Sequence, residues 1–316
     1  MLIYLVRRLV AAALVVVVVS FLIFLCLYLA PGSPAEAILG PTSATPATIA
    51  QITKEYGLND PFMVQYWHFL RGIFTLNLGS SYQTGQMVAA GIGAGLIVTL
   101  PLALGGFLVA LVLGVAGGLV AASGRGRAAD RVTGAIAIAA ASTPAFATGV
   151  LLLLIFGIEL KVFPVTGAGS GLVGRTEHLV LPVLTLGLLG AATIFRRTRT
   201  AVSAALERDD VAFARARGLS SATIMMRYVL RHAAVLILTS ASVILIYMIA
   251  STVVVESVFG MSGIGSYLIT AINNKDMPSV QGVAVVITLL VVVINLGTDL
   301  LYVRIDPRIQ HRAVGQ

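Results

Sequence analysis

Long apolar runs separated by short polar stretches set the pattern of this chain. A membrane-spanning helix needs about 20 mostly apolar residues, and six runs meet that length. They predict spans over Leu9–Ala30, about Ile97 to Ala122, about Val132 to Ile158, roughly Leu179 to Phe195, about Ala233 to Val255, and about Gly282 to Val303. The fourth is the least hydrophobic at its edges, and Pro182 is expected to break it. The second carries Gly106, Ala110, Gly114 and Gly118, four residues apart, a small-residue stripe that lets another helix approach closely.

Composition agrees with the pattern. Of the 316 residues 58% are hydrophobic and 11% charged, with mean hydropathy +0.98. Soluble domains carry about 25% charged residues, so this chain reads as an integral membrane protein. The first apolar run outlasts the ~7–15 residues of a signal-peptide core. No small-x-small cleavage site precedes Pro31-Gly32-Ser33-Pro34, and the run reads as a retained anchor. Cys26, the single cysteine, allows no intramolecular disulfide and reads as a small buried hydrophobe.

The net charge of +8 marks topology and does not call for nucleic acid. With the N-terminus in the cytoplasm, sixteen of the 21 Lys and Arg fall inside. They occupy the start of the chain, the segment Arg125–Arg131, the segment Arg196–Arg231 and the C-terminus. Lys54, Arg71, Lys161, Arg175 and Lys275 fall outside. This is the positive-inside bias of a six-span protein with both termini cytoplasmic.

Two outside segments are long enough for structure. In residues 31–95, Thr45-Pro46 reads as a helix start and Gly57 as its stop. Asn59-Asp60-Pro61 opens a second helix, in which Phe62, Tyr66, Phe69 and Leu70 recur at helical spacing beside Trp67. That helix either lies at the membrane interface or caps the bundle. In the segment from Glu256 to about Gln281, Gly260-Met261-Ser262-Gly263-Ile264-Gly265 reads as too flexible for a plain helix and Asn273-Asn274-Lys275-Asp276-Met277-Pro278 as turn-like.

No Gly-x-x-x-x-Gly-Lys-Ser/Thr phosphate loop occurs, so ATP hydrolysis is not expected of this chain. His68, His178, His232 and His311 lack metal-ligand spacing, and no Ser/His/Asp constellation appears. The spans are nearly devoid of ionisable groups, Asp299 being the main exception, which disfavours a proton- or ion-coupled carrier.

The polar segment between spans four and five is the most informative. Glu207 through Gly218 reads as a helix with Asp209 and Asp210 in its first turn, where the dipole favours acids, and with Gly218 as its stop. A basic helix with Arg227, Arg231 and His232 follows, leading into span five. An Ala- and Arg-rich helix between spans makes sense as a cytoplasmic lever pushed by another protein.

The chain resembles the B-type permease subunit of bacterial dipeptide/oligopeptide (and nickel) ABC importers. The loop pattern of that family, resembling Asp-Tyr-Val-Arg-Thr-Ala-Arg-Ala-Lys-Gly-Leu, stands here as Asp209-Asp210-Val211-Ala212-Phe213-Ala214-Arg215-Ala216-Arg217-Gly218-Leu219. Further matches in chain order are Pro31–Pro34, Tyr56-Gly57-Leu58-Asn59-Asp60-Pro61, Leu78–Ser81, Val98–Pro101, Ser142–Phe146, Val255–Phe259 with Gly263-Ile264-Gly265, Asn295–Tyr302 and Asp306-Pro307-Arg308.

The resemblance implies an all-α polytopic membrane protein with six transmembrane helices and a type I ABC importer-like permease fold. Residues 1–30 would anchor it, 31–95 would form an extracytoplasmic loop, and 96–310 the core permease with a coupling helix at about 207–219. It implies a non-catalytic subunit in the cell (inner) membrane, paired with a second homologous permease, two cytoplasmic ATPase subunits and an extracytoplasmic substrate-binding protein. ATP and Mg would be held by the ATPases, and no cofactor by this chain.

Asp209, Ala214, Arg215, Ala216, Arg217, Gly218 and Leu219 would couple to the ATPase, and Trp67, Glu256, Gly263 and Gly265 would dock the binding protein. Asp210 stands where tyrosine is usual and Ala212 where arginine is usual. Leu236 replaces a proline, and Asn77 an aspartate. Nickel or haem cargo in the same architecture, a proton-coupled peptide carrier and a cargo-free membrane protein are the alternatives.

Overall fold

The computed structural model describes residues 2–29, 45–55 and 57–305. The motifs at Pro31–Pro34 and Asp306–Arg308, and Tyr56, lie outside the described residues. Within them the chain is helical apart from its connections and one antiparallel bridge between Ser80 and Met87. Helices dominate for a physical reason: the bilayer offers backbone N–H and C=O groups no water, and a helix satisfies them internally.

The helices are α1 (Leu2–Tyr28), α2 (Pro46–Glu55), α3 (Phe62–Phe74), α4 (Val88–Ser123), α5 (Ala128–Ser142), α6 (Ala145–Glu159), α7 (Gly171–Leu206), α8 (Asp209–Ala216), α9 (Ser221–Val258), α10 (Ile264–Asn273) and α11 (Met277–Ile305). The stretches Leu153–Glu159 of α6 and Met225–Val229 of α9 are π-helical. Among the described residues five helices are long and apolar enough to cross a membrane, and α5 with α6 supplies a sixth crossing if the bent pair counts as one span.

Several expectations are corrected. The third span is not one helix: α5 and α6 meet at 105°. The residue before a proline is pushed out of the helical region, and Thr143 is extended (φ −93°, ψ 124°) ahead of Pro144 (φ −59°, ψ 147°). Pro182 breaks nothing, and α7 runs through it, because Leu181, Pro182, Thr185 and Leu186 are all buried and packing overrides the local preference. α4 begins at Val88, well before Ile97, and likewise continues through Pro101. After span five, Gly260–Gly263 is not helical, as expected, and α10 begins at Ile264. Cys26 is exposed on α1, not buried.

By internal contacts the chain forms two units, residues 1–98 with 262–293 and residues 99–261 with 294–316. In the first, Val88, Ile92, Ile264 and Val283 form a core with Tyr267 and Leu268 against it. A Cβ on Gly95 would stand 2.8 Å from the Ile264 nitrogen, so α4 meets the start of α10 backbone to backbone. The buried Asp276 clasps two loops: it accepts from Ser81 Oγ at 2.6 Å, Ser279 Oγ at 2.7 Å and the Tyr82 amide at 3.0 Å.

In the second unit the small-residue stripe of α4 lies on α7. A Cβ at Gly106, Gly114 or Gly118 would stand 2.6 Å from the Cβ of Leu186, Ile194 or Thr198 respectively. Ala110 is fully buried with Ile194, Ile244 and Met248.

Overpacking a helix contact of this kind costs about 1–3 kcal/mol. Gly114→Val should therefore lower the thermal stability of the detergent-solubilised chain. Gly134→Ala, with no atom within 4 Å of the new Cβ, should leave it unchanged or raise it. Equal melting of the two variants would refute the close α4–α7 contact.

Candidate functional site

The connection between α7 and α9 carries α8, eight residues long. A helix this short has too few hydrogen bonds to persist alone in water. It is held by what it packs on. Val211 and Ala214, one turn apart, are buried in a cluster with Ala201, Val202 and Ala205 of α7 and Ile224, Val229 and Ala233 of α9. Both flanking helices thus share one apolar seat with α8.

Its ends are closed by hydrogen bonds. At the start, the Val211 and Ala212 amides donate to the Arg208 carbonyl at 3.1 and 3.0 Å. Asp209 and Asp210 occupy the first turn and Arg215 the last, signs that complement the helix dipole. At the end, Gly218 takes φ +76°. Its amide donates to Arg215 O at 2.9 Å and the Leu219 amide donates to Ala214 O at 3.3 Å. These paired bonds on a left-handed glycine are a standard helix stop, and Leu219 adds a contact to the apolar seat. Ser220 then caps α9, its hydroxyl accepting from the Thr223 amide at 3.3 Å.

Polar ties fix the seat laterally. Asp210 accepts from His232 Nε2 on α9 at 2.7 Å and from Arg208 Nε at 3.1 Å. The His232 side chain, and secondarily Arg208, hold the Asp210 carboxyl below the usual carboxylate range. Asp210 departs from the residue usual in the resembled family, and here it works as a link from α8 to the base of α9. Arg125 pairs with Glu207 at the end of α7. Arg199 makes a two-pronged bond to Asp130 at 2.7 and 2.9 Å, and Asp130 also accepts from the Gly126 amide. The loop between α4 and α5 is thereby pinned to α7.

What α8 presents outward is Asp209, Ala212, Phe213, Arg215, Ala216 and Arg217, all exposed. Phe213, 67% exposed at the centre of this face, is a large apolar side chain standing in the open. Sequence reasoning passed over it. Its spacing was the available signal: it lies two residues from Val211 and so cannot share the buried face.

The residues expected to dock a binding protein differ in exposure. Trp67 is exposed on α3. Gly263 and Gly265 are buried around the start of α10, and Glu256 is fully buried within α9, accepting from Thr99 Oγ1 at 2.6 Å. Gly263, Gly265 and Glu256 are thus buried within the chain, and Glu256 sits in α9 because that helix outruns the span expected from the sequence. Glu256 lies inside a candidate span, not in a loop beyond it.

Comparison with known proteins decides the family. The description "Binding-protein-dependent transport system inner membrane component" matches residues 114–311, α8 included. That of the N-terminal membrane component of such systems matches residues 1–103.

The chain belongs to this family.

It is a multi-pass inner-membrane permease component. A "Probable peptide ABC transporter permease protein y4tP" of Sinorhizobium fredii is 38% identical over 312 residues, covering 98% of this chain and 99% of that protein. The "Glutathione transport system permease protein GsiC" of Escherichia coli O6:H1 is 34% identical over 312 residues, covering 99% of this chain and 100% of that one. Among solved structures, inward-facing conformations of the MetNI methionine ABC transporter match with TM-score 0.56 at 19% identity, over 68% of this chain and 96% of that one. That likeness shows the permease fold.

Two outcomes follow for the site. Gly218→Val, forced to left-handed backbone, should destabilise the end of α8 by about 1 kcal/mol or more, whereas Gly218→Asn should be nearly neutral. Limited trypsin cleavage at Arg215 and Arg217 should speed up in the first variant only; equal cleavage rates would contradict the glycine stop. A depressed carboxylate contributes stability that is present above its unfolded value of about 3.9 and lost as pH falls through its folded value. Asp210→Asn should therefore flatten the acid side of the stability–pH profile, and superposable profiles would show that the tie to His232 and Arg208 contributes nothing.

Proposed function

We propose that this chain is one of two permease subunits of an ATP-driven importer that moves di- and oligopeptides into the bacterial cytoplasm by alternating access. Full-length identity to permeases named for peptide and glutathione transport carries this reading. Glutathione is itself a tripeptide, so both names point to short peptides.

In this reading two cytoplasmic ATPase subunits hold ATP and Mg, and a second homologous permease completes the pathway. A substrate-binding protein delivers cargo from outside. The N- and C-termini face the cytoplasm, an orientation that the arginine distribution supports. Residues 1–30 anchor the subunit, 31–95 lie on the delivery side, and 96–310 form the moving permease. Helix α8 is the coupling element. Phe213 enters an apolar recess of the ATPase, while Asp209, Arg215, Ala216 and Arg217 surround it and Ala214, Gly218 and Leu219 hold the helix in its seat.

Proteoliposomes containing the permease pair and the ATPases, supplied with a peptide-loaded binding protein, test this. Uptake should require internal ATP and be indifferent to collapse of the proton gradient. Phe213→Ala should reduce uptake about tenfold or more, the loss of one interface anchor worth at least ~1.4 kcal/mol, while membrane insertion is unchanged. Uptake that survives ATP removal and falls with the proton gradient would overturn the reading.

A further inference from the structure

Helix α3 carries large apolar side chains on two faces. One face packs on α1: Phe62 and Tyr66 stand edge-on to Phe21 at centroid distances of 5.9 and 5.2 Å, Phe69 stacks on Phe24 at 5.8 Å, and Phe62 meets Tyr28 at 5.0 Å. The Tyr66 hydroxyl donates to the Val17 carbonyl at 3.1 Å. The other face is bare. Met63, Trp67 and Phe74 are 66%, 63% and 72% exposed, and at 100° per residue they fall within about 40° of one another.

The register of α1 gives the depth at which this occurs. A hydrocarbon core of about 30 Å takes about 20 residues of helix. Counted from the basic pair Arg7-Arg8, which belongs at the headgroups, that length ends at Tyr28. Phe21 and Phe24 then lie about 6–10 Å inside the far boundary, at 1.5 Å per residue. Val17 lies about 16 Å inside, near the midplane, by the same rise. The aromatic face of α3 is therefore at acyl-chain depth, and so is the bare face beside it.

The remaining edge of α3 is polar. Gln65, whose side-chain amide donates to the Leu58 and Asp60 carbonyls, lies there with His68. Both line a cavity of about 840 Å³ that is also lined by Lys54, Asp60 and Asn77. The cavity is also lined by Phe24, Tyr28 and Phe69, so its wall is of mixed character. Polar residues along one edge, with exposed Arg71, and large apolar side chains on the others are the pattern of a helix lying in the membrane interface, sunk about 5–10 Å.

We propose that α3 is an in-plane membrane helix, embedded in the leaflet that holds the C-terminal half of α1, with Met63, Trp67 and Phe74 against phospholipid acyl chains. Trp67 thus belongs to the lipid boundary and not to a protein-docking surface. In the orientation set by the arginines this is the outer leaflet. The helix widens the footprint of α1 and forms part of the cavity wall.

Trp67 is the only tryptophan of the chain, so the emission of the full chain in phosphatidylcholine vesicles reports this position alone. Lipids brominated in the upper acyl chain should quench most of that emission, and aqueous iodide should quench little. Moving the reporter with Trp67→Phe and Phe74→Trp should give the same profile, because the helix lies in the plane. Emission at position 67 that is quenched by iodide and spared by brominated lipid would overturn the proposal and leave Trp67 facing water or a docked protein. Lipid quenching at 67 with iodide quenching at 74 would also overturn it, since α3 would then cross the boundary steeply.

Discussion

The seating of α8 on α7 and α9 is the contact on which a mechanical role for this chain depends. An eight-residue helix cannot transmit force unless it is rigid with respect to what it drives. Here rigidity comes from two side chains, Val211 and Ala214, packed in one cluster with residues of both neighbouring helices. Closed ends and the Asp210–His232 link add to it. The same side chains that make α8 a helix make it part of the bundle, and the opposite face, centred on Phe213, is left open to a partner.

The bundle on which α8 sits is built by close approach, not by hydrophobic collapse. Lipid is as apolar as leucine, so helices in a bilayer associate through packing and hydrogen bonds. The glycines of α4 bring its backbone against Leu186, Ile194 and Thr198 of α7. Two buried carboxylates, one in each unit, are held by hydroxyl donors, Glu256 by Thr99 and Asp276 by Ser81 and Ser279. Their hydrogen bonds give both acids a structural role, one that does not require them to relay protons.

Much of this was legible in the sequence, and the rest was not for identifiable reasons. Span number follows from hydropathy because the membrane imposes a length. The helix stop at Gly218 follows because left-handed backbone selects glycine. Span geometry does not follow. Pro144 bends the chain by 105° and Pro182 leaves α7 continuous, since the local bias before a proline is one contribution and the burial around it another. Helix length was equally hidden: α4, α7 and α9 run past the apolar runs read in the sequence, which moved Glu256 from an expected loop into a buried position within α9. Phe213 was overlooked because the sequence does not show which face of the helix is seated, and only the burial of Val211 and Ala214 turns it outward.

The central claim, that α8 moves as one body with its helices, is most directly tested by a distance. Spin labels at Thr200 of α7 and Arg217 beside α8, in a Cys26→Ser background, would report their separation by pulsed electron resonance in the assembled transporter. The account predicts the same narrow distribution with and without ATP trapped on the ATPases, under conditions where peptide uptake proceeds. A distribution that shifts or broadens when ATP binds would show α8 sliding on its seat and would contradict the lever.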